Sequence, residues 1–381
     1  MTTLPLARAA ALLLALSAAA AAQDSRPAEP APKPELETKL VGTLESPAEV
    51  PVVFSTDGKA LLYVKREEGQ PDPKTGQNGE RSFIYVKAAA DGSGATELFT
   101  TPVSWDDILV VFVTPGAISP DGKRVVAITS VEGKKYSEGY VTPLVLDADG
   151  TKTPVPSALG GSMGFGLAGE RLLVLEAKPN WKRDGGEGYS LEAWKGGKAE
   201  TIHADPKARA FGLVISPDGK KAAFLVLHPV ERRQAMVRVV DLGTRKAVDS
   251  DGFRTDDFTF DGPPVILWDA ESKGVYLHAS VDPKVKRPFA LFRMDAGTGK
   301  RERVIDADDL AVTAVLGDGL LGVCLRGDEF NGAAVLRLAD KRLFRLEARS
   351  FIMGGHGRRL ALLRRVDGKK VHELVDFTLP K

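Results

Sequence analysis

A four-residue punctuation mark recurs along this chain: Ser55-Thr56-Asp57-Gly58, Ser119-Pro120-Asp121-Gly122 and Ser216-Pro217-Asp218-Gly219, each followed by lysine. Self-similarity of this kind constrains a fold more than any local propensity does. Proline at the second position presets φ, aspartate bonds its own backbone, and glycine accepts the left-handed conformation that closes a hairpin. Each copy is therefore predicted to be a β-turn between two strands. The segments that follow, Ala60 to Val64, Val125 to Ile128 and Ala222 to Leu227, are short, apolar and rich in β-formers. A run without polar alternation is what a strand packed on both faces requires.

Weaker copies of the unit follow at Gly169, Gly274, Gly319 and Gly357, so that the anchor glycines 58, 122, 169, 219, 274, 319 and 357 lie 64, 47, 50, 55, 45 and 38 residues apart. Most units contain a second hairpin, as in Val145 to Gly150, Val237 to Thr244 and Leu291 to Gly297. Four strands per unit at this spacing predict an all-β chain forming a single seven-bladed β-propeller of four-stranded antiparallel blades, with six or eight blades as the alternatives. No sustained 3.6-residue periodicity supports a helical solenoid. The last unit stops one strand short after Val371 to Phe377, and an orphan strand, Lys39 to Leu44, precedes the first. If that strand completes the last blade, the ring is latched without an open edge.

Residues 1–22 carry one positive charge at Arg8, an apolar run from Ala9 to Leu16 and small residues leading to Gln23. This is the pattern of a cleaved signal peptide, which predicts a periplasmic or secreted protein. No cysteine near the cleavage position offers a lipid-anchor site, and no later apolar run is long enough to span a bilayer. Residues 23–37 are rich in proline and charge and read as a disordered tether, which leaves 38–381 for the propeller. The chain has 52 basic and 51 acidic residues, and removal of Arg8 leaves equal numbers. Bulk attraction to nucleic acid or membrane is not expected of a neutral chain. Cys324, the single cysteine, lies within Leu320 to Leu325 and reads as a small buried hydrophobe.

In its Ser-Pro-Asp-Gly-Lys turns, each followed by an apolar strand, the chain resembles the TolB-type, WD-repeat-like propeller family. The likeness covers most of the mature chain and is sharpest in three units. It implies a periplasmic propeller acting as a protein-binding platform, and related propellers form the gating domain of prolyl-oligopeptidase-like peptidases. The chain departs from both patterns, having neither the N-terminal α/β domain of TolB nor room for a hydrolase domain.

Candidate chemistry is sparse. Gly160-Gly161-Ser162-Met163-Gly164 matches the elbow that presents a nucleophilic serine between strand and helix, yet a strand, Arg171 to Leu175, follows, so the segment reads as a flexible inter-blade loop. The five histidines, 203, 228, 278, 356 and 372, fall in different units with no metal-ligand spacing. Asp147-Ala148-Asp149-Gly150 lacks the later ligands of a calcium loop and reads as a hairpin turn. No catalytic residue, metal or cofactor is expected.

Loop charge is more informative. In a propeller, the links between blades and those between each blade's second and third strands share the face around the channel mouth. The inter-blade links contain Asp106-Asp107 after Trp105, Asp256-Asp257 and Asp308-Asp309; the others contain Lys182-Arg183 after Trp181, Arg232-Arg233, and Lys284, Lys286 and Arg287. An acidic centre with a basic rim would hold a cation or basic peptide, whereas solvated loop charge is the simpler account. Trp105 and Trp181 are candidate binding anchors or caps on the core; Trp194 and Trp268 are assigned to packing between blades. The insertion 65–81 is expected on the same face. The function expected is a monomeric, non-enzymatic platform binding a protein, peptide or glycan through this face. A lactonase-like hydrolase or lyase with a metal or acid/base site at the channel is the alternative, and a propeller separated from a peptidase partner is the third reading.

Overall fold

The computed structural model describes residues 35–45, 51–68, 81–103, 117–119, 122–130, 141–147, 150–154, 162–177, 188–227, 234–254, 266–281, 289–306, 310–326, 330–366 and 369–380. They form seven antiparallel sheets, counted here as blades one to seven. The four strands of blade one are Val53–Phe54, Ala60–Glu68, Arg81–Ala89 and Thr96–Val103. Blade two has Val125–Ser130, Val141–Leu146 and Lys152–Pro154, with Ile118 bridged to Val125 in the first-strand position. Blade three comprises Ser162–Ala168, Arg171–Ala177, Tyr189–Lys195 and Lys198–Asp205. Blade four comprises Arg209–Ile215, Lys221–Leu227, Gln234–Asp241 and an interrupted outer strand, Ala247–Asp249 then Phe253–Arg254. Blade five has Ile266–Trp268, Gly274–Ser280, Phe289–Asp295 and Arg301–Asp306; blade six has Leu310–Gly317, Leu320–Arg326, Asn331–Arg337 and Arg342–Ala348.

Blade seven closes the ring. Phe351–His356, Arg359–Val366 and Lys369–Thr378 are joined by Glu37–Leu44 as the fourth strand, running from Glu37↔Thr378 to Leu44↔His372. Glu35 and Leu36, within the segment read as tether, belong to this latch: the Glu35 amide donates to the Arg345 carbonyl of blade six at 2.8 Å, and Leu36 is buried.

The apolar runs are explained by the ring. In Lys221–Leu227, Ala222, Phe224 and Val226 pack toward blade three, while Ala223 and Leu225 pack toward blade five. Each face of a strand thus meets a different neighbour, and polar alternation is lost. Seven apolar clusters result, one per interface from blades one and two round to seven and one. A closed ring needs as many interfaces as blades, so the Asp-Gly corners surround one axis rather than an open stack. Trp194 packs at the interface of blades two and three, and Trp268 lies between blades four and five with its indole N–H on the Val214 carbonyl at 3.2 Å.

The repeated turn is built as its residues suggest. Ser216 Oγ donates to Asp218 Oδ1 at 2.6 Å and accepts from the Lys221 amide at 2.9 Å, and Asp218 Oδ1 accepts from the Lys220 amide at 3.0 Å. Ser55, Asp57 and Ala60 repeat these bonds in blade one. Gly58, Gly122 and Gly219 have φ of 68°, 66° and 67°, where a side chain is strained.

Three expectations are corrected. His356 and His372, assigned to different units, lie in the first and third strands of one blade, the seventh. In blade five the left-handed position is Ser272, at φ 59°, not Gly274. Asp269 takes the serine's place there, its Oδ1 accepting from the Lys273 amide at 2.8 Å, while Gly274 makes room for the Arg293 guanidinium, 2.7 Å from where a Cβ would sit. Ser162 begins a strand paired with Glu176, not a flexible loop. Gly164 is required because Leu213 of blade four would stand 2.6 Å from its Cβ.

Candidate functional site

Strand direction assigns every connection to one of two faces. The turns between first and second strands and those between third and fourth share one face, where the described chain is tied from blade to blade. Arg124 of blade two donates to the carbonyls of Gly169 and Glu170 in blade three, the latter at 3.2 Å. Lys221 Nζ of blade four donates to the Ser272 carbonyl at 3.0 Å, and the Asp218 amide to Ser272 Oγ at 3.0 Å. The Gly357 amide of blade seven donates to the Leu316 carbonyl of blade six at 2.7 Å. Gly58 of blade one lies so close to His356 of blade seven that a Cβ would stand 2.2 Å from its ring. Connections here are as short as Gly169–Glu170 and Gly196–Gly197.

The opposite face receives the long connections. Second strands end at Glu68, Ser130 and Ala177 and third strands begin at Arg81, Val141 and Tyr189, and the links 104–116 and 255–265 leave the same end of blades one and four. Every candidate residue read from the sequence belongs to the long or short connections between strands at this end of the blades. Trp105, Asp106 and Asp107 follow Val103; Trp181, Lys182 and Arg183 lie between Ala177 and Tyr189; Arg232 and Arg233 precede Gln234; Asp256 and Asp257 follow Arg254; Asp308 and Asp309 precede Leu310. All of them, with Lys284, Lys286, Arg287 and His228, lie outside the described residues.

The densest polar group among the described residues was not foreseen. It lies in the seam between the third and fourth strands of blades three and four. Arg238 grips Asp249 with two parallel bonds, Nε to Oδ1 and Nη2 to Oδ2, both 2.7 Å, and its Nη1 donates to Tyr189 Oη at 2.8 Å. Nη1 also lies 3.4 Å from Asp205 Oδ2 and 3.5 Å from His203 Nε2. Tyr189 and Asp205 are opposed in the sheet at the long-loop end, so the group opens near that face.

Electrostatics define its state. Burial pushes the Tyr189 phenol up to about 12, so it remains protonated, its oxygen accepting from Arg238. The bonds to Asp249 hold the Arg238 guanidinium above its ordinary value despite burial. His203 is pushed down, first by burial and then by the Arg238 charge, and is neutral at pH 7. All three guanidinium nitrogens are engaged, so the arrangement acts as an inter-blade clamp. Arg238 interrupts the apolar run Val237 to Val240, which is the one sequence signal that marks it.

A second polar strip lies on blade three toward blade two: Glu176 is buried at the loop end, and nearby Ser190 donates to Glu192 Oε1 at 3.3 Å. Among the described residues, no three His, Cys, Asp or Glu side chains are gathered to hold a metal.

No protein-family model matches this chain, and no curated protein matches it. Among solved structures it is similar to an oligogalacturonate lyase in complex with manganese, with TM-score 0.59 and 13% identity over 93% of this chain and 96% of that one. The β-propeller domain of the Trilobed protease from Pyrococcus furiosus gives TM-score 0.57 and 14% identity over 88% and 99%. That domain has an open velcro topology, whereas the ring here is fastened by its N-terminal strand. Acylaminoacyl peptidase from Pyrococcus horikoshii gives TM-score 0.53 and 14% identity over 86% of this chain and 51% of that one. These likenesses establish the propeller fold, which is shared by proteins of different activity.

Proposed function

We propose that this chain is an exported, non-enzymatic platform of the TolB type that binds a protein, peptide or glycan through the face carrying its long connections. The observation that carries this reading is the inequality of the two faces. One is stitched from blade to blade by short turns, and the other receives the links 69–80, 104–116, 178–188 and 255–265. Binding surfaces are characteristically loops displayed on a rigid scaffold. The Ser-Pro-Asp-Gly-Lys turns support the family reading and residues 1–22 support export.

The test is affinity capture from the cell envelope with two variant sets. Converting Asp256, Asp257, Asp308 and Asp309 to Asn is expected to lower partner recovery at least tenfold. Lys220→Glu on the stitched face is expected to leave it unchanged. Equal recovery by both sets sinks the proposal.

The alternative, a channel-centred hydrolase or lyase, draws support from the near full-length overlay on a lyase bound to manganese. It predicts manganese-dependent cleavage of oligogalacturonate by the purified chain, and absence of cleavage at any metal concentration removes that form of it.

A further inference from the structure

We propose that the outer edge of blade seven is a strand-acceptor site, occupied at rest by residues 35–44 and able to take instead an extended partner segment of the pattern Leu-x5-Gly-x-Leu. The resident strand is paired along its backbone, but its buried side chains anchor it only at its two ends. Leu36, 4% exposed, enters the cluster of blades six and seven beside Phe344, Leu346 and Phe377, and Leu44, 5% exposed, enters that of blades seven and one. Between them Glu37, Thr38, Lys39 and Leu40 are exposed, Leu40 at 56%, and the ladder slips between Leu40 and Gly42. The outer strand of blade six, by contrast, buries both Phe344 and Leu346 within its own span.

The acceptor does not need its occupant in order to stay formed. Lys369–Thr378 pairs without a register shift with Arg359–Val366 on its other side, and Leu374, Val375 and Phe377 are buried in the flanking clusters. The ring junction has a further tie, the Val52 amide donating to the Met353 carbonyl at 2.8 Å. Removal of the latch therefore leaves a row of free backbone donors and acceptors between two apolar pockets, the arrangement that captures a peptide by β-augmentation.

The selectivity lies at Gly42. A Cβ there would stand 2.3 Å from the Asp91 carbonyl in the turn of blade one, a backbone atom that cannot swing aside. The acceptor thus demands glycine two positions before its second leucine, and places no such demand at position 40. Backbone bonds supply attachment while two leucines and one glycine supply identity. The resident strand competes from a high effective concentration, because it is part of the same chain.

A fluorescent peptide of residues 35–44, titrated into the full chain, tests this. Leu36→Ala in the protein is expected to tighten peptide uptake at least tenfold by loosening the resident. Gly42→Val in the peptide is expected to abolish uptake, and Leu40→Ala in the peptide to leave it intact. No uptake by the Leu36→Ala protein, or equal uptake of the Gly42→Val peptide, overturns the proposal. A dimer by light scattering that excludes the peptide would make a second copy the occupant and overturn the partner assignment. Should Leu36→Ala fail to fold, hydrogen exchange on the unmodified chain decides: amides of 38–43 are expected to open at least a hundredfold more often than those of Leu320–Arg326, and equal opening refutes a separable latch.

Discussion

Replacing Arg238 with methionine tests whether the seam between blades three and four is a structural clamp. The substitution preserves the apolar stem and removes the guanidinium, and with it the two 2.7 Å bonds to Asp249 and the 2.8 Å bond to Tyr189. The Arg238 side chain is 14% exposed, Asp249 37% and Asp205 30%. Breaking a fully buried pair costs about 3–5 kcal/mol, but the carboxylates here are partly solvated and recover hydration. The buried Tyr189 hydroxyl does not, and an orphaned buried polar group costs about 1–3 kcal/mol. The net expectation is a loss of about 2 kcal/mol, or about 3 °C in melting temperature for a chain of this size. Urea unfolding at neutral pH measures it. Arg245→Met removes an exposed pair with Glu200 on the same seam and is expected to cost less than about 0.5 kcal/mol.

The clamp also has a defined pH response. His203 is held below its ordinary value in the folded chain, so the unfolded chain binds the proton more readily. Stability then falls as pH drops through the ordinary imidazole range near about 6.5. Arg238→Met removes the second of the two causes and should move the His203 titration, followed by NMR, back toward that range. If Arg238→Met costs no more than Arg245→Met and leaves the His203 titration in place, the clamp argument is wrong.

Other consequences are open to direct measurement. Gly354→Ala places a Cβ 1.8 Å from the Val52 carbonyl and must displace the Val52–Met353 bond, so a loss of about 2–3 kcal/mol in urea unfolding is expected, and an unchanged midpoint would contradict the packing of blade one on blade seven. Ser216→Ala removes both the donor to Asp218 and the acceptor of the Lys221 amide and should cost about 1 kcal/mol, while Ser216→Thr, which keeps the hydroxyl, should recover part of that loss. Ultraviolet difference absorbance in alkali should show one phenol, assigned to Tyr189 by its loss in Tyr189→Phe, titrating near 12. Because that value lies above the ordinary 10.0, the associated stability is present below about pH 10 and is lost as pH rises toward 12.

What was legible in the sequence divides along the two faces of the molecule. The stitched face repeats one local device, a serine or aspartate that bonds the turn and a left-handed residue that closes it, and such a device is visible in a handful of adjacent letters. Even its concealed copy in blade five obeys the rule, with Asp269 for serine and Ser272 for glycine, and the glycine that marks the other copies falls two residues later, at Gly274. The latch was legible because a blade left one strand short implies a missing partner. The seam was not, because Tyr189, His203, Asp205, Arg238 and Asp249 meet across as many as 49 residues and share no local pattern. Gly164 and Gly42 show the same limit from the opposite side: each looks like permissive backbone in one dimension and proves to be a position where another part of the ring claims the space of a Cβ. The sequences of the long connections repeat no turn motif, so nothing local ties their residues to a period. A chain that repeats its scaffold and varies its connections therefore declares its architecture seven times over, while the residues through which it would recognise a partner are each written once.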